Sequence, residues 1–205
     1  MSRIAKRWSM PAGGELELIE TFLGGPESTA LFAQLVAEVP FATHTIRIVG
    51  REVPQPRLSA WVGDPDAVYT YSGLRNTPSA WTPALAALRE RISEACGAPF
   101  NSVLCNLYRN GQDSMGIHAD AEPELGPEPI IASLSLGAVR RFQLRHKRDA
   151  RDRLDLDLPD GSLLVMRGAL QQHYRHGVPK QRAITEPRIN LTFRNVAGTA
   201  YIRRA

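Results

Sequence analysis

His118 and Asp120, in "DSMGIHADAEPELG", stand one residue apart at the end of an apolar, strand-like run. Alternate side chains of a β-strand point to the same face, so an imidazole and a carboxylate at this spacing can grip one metal ion together. Alone the pair is a weak signal, because a chain with five histidines and 21 acidic residues produces such pairs by chance. "QQHYRHGVP" offers a second imidazole, from His173 or His176. Two imidazoles and one carboxylate on one face, with the remaining positions open, form the donor set of a non-haem iron(II) oxygenase site.

A later segment has an unusual polarity. In "PRINLTFRN", alternation puts Arg188, Asn190, Thr192 and Arg194 on one face of a strand and Ile189, Leu191 and Phe193 on the other. Arginines on the inside of a sheet need anionic partners, since an unpaired buried guanidinium is very costly. Their separation along the strand is about 20 Å, so the two arginines either converge on one dicarboxylate or hold separate anions. "NSVLCNLYRN" places Asn106 and Tyr108 on one face as further polar donors for such a ligand.

These side chains require strands to carry them. From about residue 100, apolar residues recur with a period of two through "NSVLCNLYRN", "PIIASLSLGAVRRFQLRHK", "LDLDLPDGSLLVMRG", "QQHYRHGVP" and "PRINLTFRNVAG". "PDG" at 159–161 reads as a hairpin turn. So many short strands predict an antiparallel sandwich or barrel, the jelly roll included. Ahead of them two amphipathic helices are expected as packing elements. The first carries Leu31, Phe32, Leu35, Val36 and Val39 on one face. In the second, Thr82 caps, Pro83 takes the first helical position, Leu85, Leu88, Ile92 and Ala95 line one face, and Gly97 and Pro99 close it. Residues 49–73 are rich in Pro and Gly and read as a loop-rich surface.

The 205 residues, 43% of them hydrophobic, suit one globular domain. No apolar run reaches the ~18 residues of a membrane span, and the N-terminus lacks an apolar core followed by a cleavage site, so a soluble, cytoplasmic protein is expected. Cys96 and Cys105 lack CxxC spacing and read as free thiols. The net charge is +4, with 22 Arg against 3 Lys, a choice suited to bidentate contact with carboxylates or phosphates. "RRFQLRHKRDARDR", Arg140 to Arg153, reads either as a basic ribbon for a phosphate backbone or as a solvated hairpin tip.

Taken in order, "NLYRNG", "GIHADAEPEL", "IASLSLGAVRRFQLRHK", "GSLLVMRG", "HYRHGVP" and "PRINLTFR" make residues 45–196 resemble the AlkB-type, 2-oxoglutarate-dependent iron(II) dioxygenases, particularly the branch that repairs alkylated DNA. The resemblance implies an α+β fold: a double-stranded β-helix (jelly-roll) core with two packing helices and a loop-rich N-terminal substrate-recognition lid. It implies a single domain over 1–205, with 1–14 flexible, 15–99 an N-terminal extension and nucleotide-recognition lid, and 100–205 the catalytic core. His118, Asp120 and His176 would bind iron(II). Arg188 would hold the distal carboxylate of 2-oxoglutarate, helped by Asn106, Tyr108, Asn190 and Arg194. His173 would be a supporting residue. With O₂, the implied reaction hydroxylates an N-alkyl carbon, which leaves as formaldehyde.

The same resemblance implies that Tyr71 stacks on a flipped base opposite His118, with Tyr69 and Ser72 lining the pocket and Glu122 contacting the base. Arg57 matches a position that contacts the nucleic-acid backbone. Val49 stands where the duplex-acting branch has an aromatic wedge, and an apolar side chain can still intercalate there. The expected substrates are 1-methyladenine and 3-methylcytosine in single- or double-stranded DNA, with RNA as a further partner, acted on by a monomer. The alternative is a 2-oxoglutarate oxygenase acting on RNA, a protein or a small molecule.

Overall fold

The computed structural model describes residues 5–48, 51–71 and 74–197; among them, positions 46–48, 51, 69–71 and 74–76 are described by backbone alone. In chain order come β1 (Ala5–Ser9), β2 (Glu15–Ile19), α1 (Gly25–Glu38), β3 (Thr45–Ile48), β4 (Arg51–Pro54), β5 (Leu58–Gly63), β6 (Tyr69–Tyr71), β7 (Leu74–Asn76) and α2 (Pro83–Cys96). The second half supplies β8 (Ser102–Tyr108), β9 (Met115–His118), β10 (Ile131–Gly137), β11 (Arg140–His146), β12 (Arg153–Leu158), β13 (Leu163–Arg167), the single turn α3 (Leu170–His173), β14 (Tyr174–Val178) and β15 (Arg188–Arg194).

Strands β8 to β15 wind into a jelly roll. One sheet runs β1-β2-β13-β10-β15-β8-β5 and the facing one β12-β11-β14-β9, antiparallel throughout. Short hairpins β3–β4 and β6–β7 stand outside these sheets. The larger sheet reaches back into the segment expected to be extension and lid, since β2 and β5 extend it on either side. Within the stretch 1–14 expected to be flexible, β1 pairs with β2 from Ala5↔Ile19 to Ser9↔Glu15, and Lys6 and Arg7 bond Glu20 and Glu17, while residues 1–4 lie outside the described residues.

Period-two alternation decides what each sheet face meets. Ile189, Leu191 and Phe193 of β15 join Val103, Cys105, Leu134 and Leu136 in a core completed by Leu35, Val39, Leu85, Leu88 and Ile92 of the helical segments. Burying each such side chain stabilises the fold by roughly 1.5–3 kcal/mol. The helices therefore cover the outer face of the larger sheet and leave the opposite face of β15 to the interior between sheets. α2 forms as expected at its ends: the Thr82 hydroxyl accepts from the Leu85 amide, and Gly97 closes the helix at φ 62°. Its buried stripe ends on Cys96 and not on the expected Ala95, which is exposed. Val36 is likewise exposed, because α1 turns only Ser28 and Leu35 fully inward.

Two local expectations are revised. "PDG" makes a turn, with Gly161 at φ 70°, but it joins β12 to β13 in opposite sheets and is no hairpin. Its Asp160 accepts from Ser28 Oγ and the Gly137 amide, clipping the turn to α1. "QQHYRHGVP" begins as the turn α3 and becomes a strand only at Tyr174, so His173 and His176 lie on different elements.

Candidate metal and dicarboxylate site

The interior between the sheets is divided. Toward β2 and β13 it is apolar, with Leu16, Leu18, Ile131, Leu144, Leu158 and Leu164 packed together. Toward β8 and β15 it is polar, and the two halves meet at an open cleft lined by Tyr108, His118, Phe142, His176, Arg188 and Arg194, among others.

Adjacent strands bring the imidazoles together. His118 of β9 is the register partner of His176 of β14, and their ring centroids lie 4.5 Å apart. The pairing is irregular just beyond, between His176 and Val178, where Gly177 is hemmed in: a Cβ there would sit 2.9 Å from the Met115 carbonyl oxygen. A glycine allows β14 and β9 to approach this closely. Asp120 lies past the end of β9 and not on it, so the loop returns it to its place. Its backbone N–H donates to Gln171 Oε1 of α3 at 3.0 Å, and Arg194 Nη2 donates to its Oδ1 at 2.8 Å.

His118, Asp120 and His176 offer one ligand atom each, all within 4.8 Å of one another. Their chemistry fits a divalent metal. His118 Nδ1 lies 2.9 Å from the Gly116 carbonyl, which only accepts, so Nδ1 is the donor there and Nε2 is the nitrogen left for a metal. Burial pushes the His176 pKa down to about 3, so this imidazole is neutral. Burial alone would raise the pKa of Asp120, but the Arg194 guanidinium beside it holds it well below the usual carboxylate range. Arg194 occupies Oδ1, while Oδ2 is buried without a hydrogen-bond partner, 3.8 Å from His176 Nε2. A metal ion would complete that orphaned oxygen. Phe142 stacks on His176 at 5.5 Å between ring centroids and walls the site.

The polar face of β15 continues from there. Arg188, 1% exposed, donates through Nη2 to Ser135 Oγ at 2.9 Å, and its Nε and Nη1 are buried without partners. Burial lowers its pKa to about 10, countered by Tyr108, whose ring lies 5.3 Å from the guanidinium carbon. Arg140 also lies over that ring, 5.5 Å from its centroid. Arg188 therefore presents two free donors to an anion.

The two arginines differ in their surroundings: Arg194 donates to Asp120, while Arg188 pairs with no carboxylate among the described residues. Asn190 is engaged by Ser133 Oγ, the Leu134 carbonyl and Thr192, which makes it a brace of this wall. Asn106 is buried on β8 opposite Asn190, with Nδ2 unpartnered.

The residues expected to meet nucleic acid are spread over several elements. Arg57 is 6% exposed and donates through Nε to Asn106 Oδ1 at 2.8 Å, its side chain turned inward. Glu122 does not continue the β9 alternation; it precedes the 3₁₀ turn Pro123–Leu125, half-buried, with Oε2 lacking a partner. The backbones of Tyr69 and Tyr71 lie in β6, while Val49 and Ser72 fall outside the described residues. Within the ribbon Arg140–Arg153, Arg140 is buried against the Asn110, Asp113 and Pro179 carbonyls, and Arg141, Arg145 and Arg151 pair with Asp157, Asp155 and Asp149. His173 is outside the donor cluster and stacks near His146.

Sequence reasoning missed Gln171, Ser133, Ser135 and Phe142. The serines carried a signal, two small polar residues on one face of an otherwise apolar strand in "IIASLSLG". Gln171 carried none.

The model of the 2OG-Fe(II) oxygenase superfamily matches residues 15–194. The chain is 45% identical over 184 residues to "Alpha-ketoglutarate-dependent dioxygenase alkB homolog 3" of Bos taurus, covering 85% of this chain and 64% of that protein. It is 40% identical over 186 residues to "DNA oxidative demethylase ALKBH2" of Mus musculus, covering 86% of this chain and 78% of that one. The chain thus spans about 64% of the length of the first of these relatives. A solved structure, that of OsALKBH1, superposes with a TM-score of 0.68 at 16% identity, covering 94% of this chain and all of its own; it shares the fold.

Proposed function

The chain belongs to the 2OG-Fe(II) oxygenase superfamily, in its AlkB-type branch, and from that premise we propose that it is an iron(II)- and 2-oxoglutarate-dependent oxidative demethylase of N-alkylated bases in DNA, 1-methyladenine and 3-methylcytosine among them. The observation that carries this reading is the juxtaposition of a His/Asp/His donor set, with one orphaned carboxylate oxygen, and a buried guanidinium with two unpartnered nitrogens in one cleft. A metal and a dicarboxylate satisfy both at once. The names of the relatives, one of them a DNA oxidative demethylase, support the substrate class.

His118, Asp120 and His176 would hold the iron, and Arg188 the distal carboxylate of 2-oxoglutarate. With O₂, the bound metal and cosubstrate supply the oxidising equivalent that hydroxylates an alkyl carbon on nitrogen, which then leaves as formaldehyde. The residues of the chain prepare that chemistry. Arg194 donates to one oxygen of Asp120, which would leave the other as the carboxylate's donor atom to a metal. Neutral His176 needs to lose no proton to become a ligand. Phe142, Leu158 and Met166 keep one wall of the cleft apolar, so that charges inside it interact strongly.

Glu122 supports the base reading, since its unpartnered buried oxygen suits an exocyclic amino group. The proposal takes the protein as a cytoplasmic monomer, with Tyr69, Tyr71 and Ser72 around the base and DNA, single- or double-stranded, or RNA as partner. Incubation with iron(II), 2-oxoglutarate, ascorbate and an oligonucleotide carrying 1-methyladenine or 3-methylcytosine is expected to release formaldehyde and restore the base. No formaldehyde from the iron-loaded protein, with 2-oxoglutarate turnover that oligonucleotides do not stimulate, would overturn the substrate assignment.

A further inference from the structure

Arg57 is a buried cation on the short link from β4 to β5, and no ion pair among the described residues involves it. A guanidinium kept from water without a carboxylate needs a structural reason. Its Nε donates to the amide oxygen of Asn106 at 2.8 Å. The backbone that carries it is held firmly: the Arg57 amide donates to the Gln55 carbonyl, and the Ser114 amide to the Pro56 carbonyl, both at 2.9 Å.

The consequence lies in the other half of the Asn106 side chain. A carboxamide can be turned either way, but a guanidinium only donates, so Oδ1 must face Arg57 and Nδ2 must face away. That Nδ2 is buried without a partner. Asn106 stands on β8 as the register partner of Asn190 and two residues from Tyr108 on the same face, and both of those residues line the cleft. Arg57 thus costs the interior a charge and in return leaves two oriented amide hydrogens beside the anion site.

We infer that Arg57 is a positioning residue for the dicarboxylate cosubstrate: by holding Asn106 Oδ1 it presents Asn106 Nδ2 as a donor to bound 2-oxoglutarate. The inference rests on the cosubstrate reading above and deepens it. Two residues, Gln55 and Pro56, separate Arg57 from the β3–β4 hairpin, so one hydrogen bond links that hairpin to the cosubstrate pocket.

The test is 2-oxoglutarate binding, by calorimetry, to protein loaded with zinc(II) or manganese(II), without oligonucleotide and without turnover. Loss of one oriented hydrogen bond predicts about tenfold weaker binding for Arg57→Ala. Asn106→Ala is expected to lose a similar factor, and the double variant no more than Asn106→Ala alone, because both remove the same donor. Arg57→Gln, which keeps an amide donor, is expected to recover most of the affinity. If Arg57→Ala does not fold, Asn106→Asp serves: it pairs with Arg57 and keeps the fold, yet offers no donor, and is expected to bind at least tenfold more weakly.

Binding within twofold of the parent for a folded Arg57→Ala or for Asn106→Asp overturns the inference, as do fully additive losses. So does a loss confined to oligonucleotide affinity, which would return Arg57 to the nucleic acid. A parent protein that itself fails to bind 2-oxoglutarate instead refutes the underlying cosubstrate reading, so the two failures are told apart.

Discussion

Replacing Arg188 by methionine separates binding from folding more sharply than any other change in the site. The guanidinium makes one hydrogen bond to the protein, through Nη2 to Ser135, and keeps Nε and Nη1 buried and unpartnered. Those two nitrogens can meet a carboxylate in charge-assisted bonds of roughly 1.5–3 kcal/mol each. Losing both removes roughly 3–6 kcal/mol, or about 10²- to 10⁴-fold in 2-oxoglutarate affinity. The apoprotein, by contrast, loses an unpaired buried charge and gains an apolar stem of similar length, a change that is often neutral or stabilising. Calorimetric titration of zinc-loaded protein reads the first effect, and denaturant unfolding of the metal-free protein the second. A short 2-oxoacid without a distal carboxylate provides the control, with affinity unchanged by the substitution. The reasoning is refuted if Arg188→Met binds 2-oxoglutarate within about threefold of the parent, or if the apoprotein loses more than about 3 kcal/mol, since Arg188 would then be a structural cation.

Two further outcomes follow from the structure. Gln171→Leu strips the Asp120 amide of its acceptor and is expected to weaken metal binding by about 10- to 100-fold, as loss of ligand support commonly does; competition with a chromophoric chelator measures it, and unchanged affinity would assign Gln171 to packing alone. Burial pushes the Cys96 thiol up to about 11 and the Cys105 thiol higher still, so a disulfide reagent at pH 8 is expected to leave Cys105 untouched and label Cys96 slowly, with both reacting at once in denaturant.

The strands and the site were legible to different depths. Alternation in "PRINLTFR" identified both faces of β15 correctly, because a strand buried on both sides still shows its chemistry residue by residue. The His/Asp/His set was legible only in part: alternation suggested the His118–Asp120 pair, yet Asp120 reaches its place through a loop, and spacing alone left His173 and His176 open. What the pattern could not convey was direction in space. It placed Arg188 and Arg194 on one face without showing that one serves Asp120 and the other an open anion site, since that depends on where a loop residue past β9 comes to rest. Arg57 and Arg140 read as surface cations because sequence reports charge and not burial, and both turn inward to carbonyl or amide oxygens. Two arginines of the β11–β12 hairpin, Arg141 and Arg145, find acidic partners across it in Asp157 and Asp155, where period-two spacing had shown only alternation.

The ion pair between Asp120 and Arg194 spans 74 positions of the chain, and β15, which supplies the guanidinium, is inserted between β10 and β8 and not added at an edge. Both of those neighbours precede it in the chain, so the last strand must enter a gap held open for it in the middle of the larger sheet. Such non-local closure makes folding slow. It also sets an order of events: before β15 is seated, Asp120 has no counter-charge and the 2-oxoacid has no anchor. A growing polypeptide that stops short of Arg188 therefore carries His118, Asp120 and His176 but neither arginine of this wall.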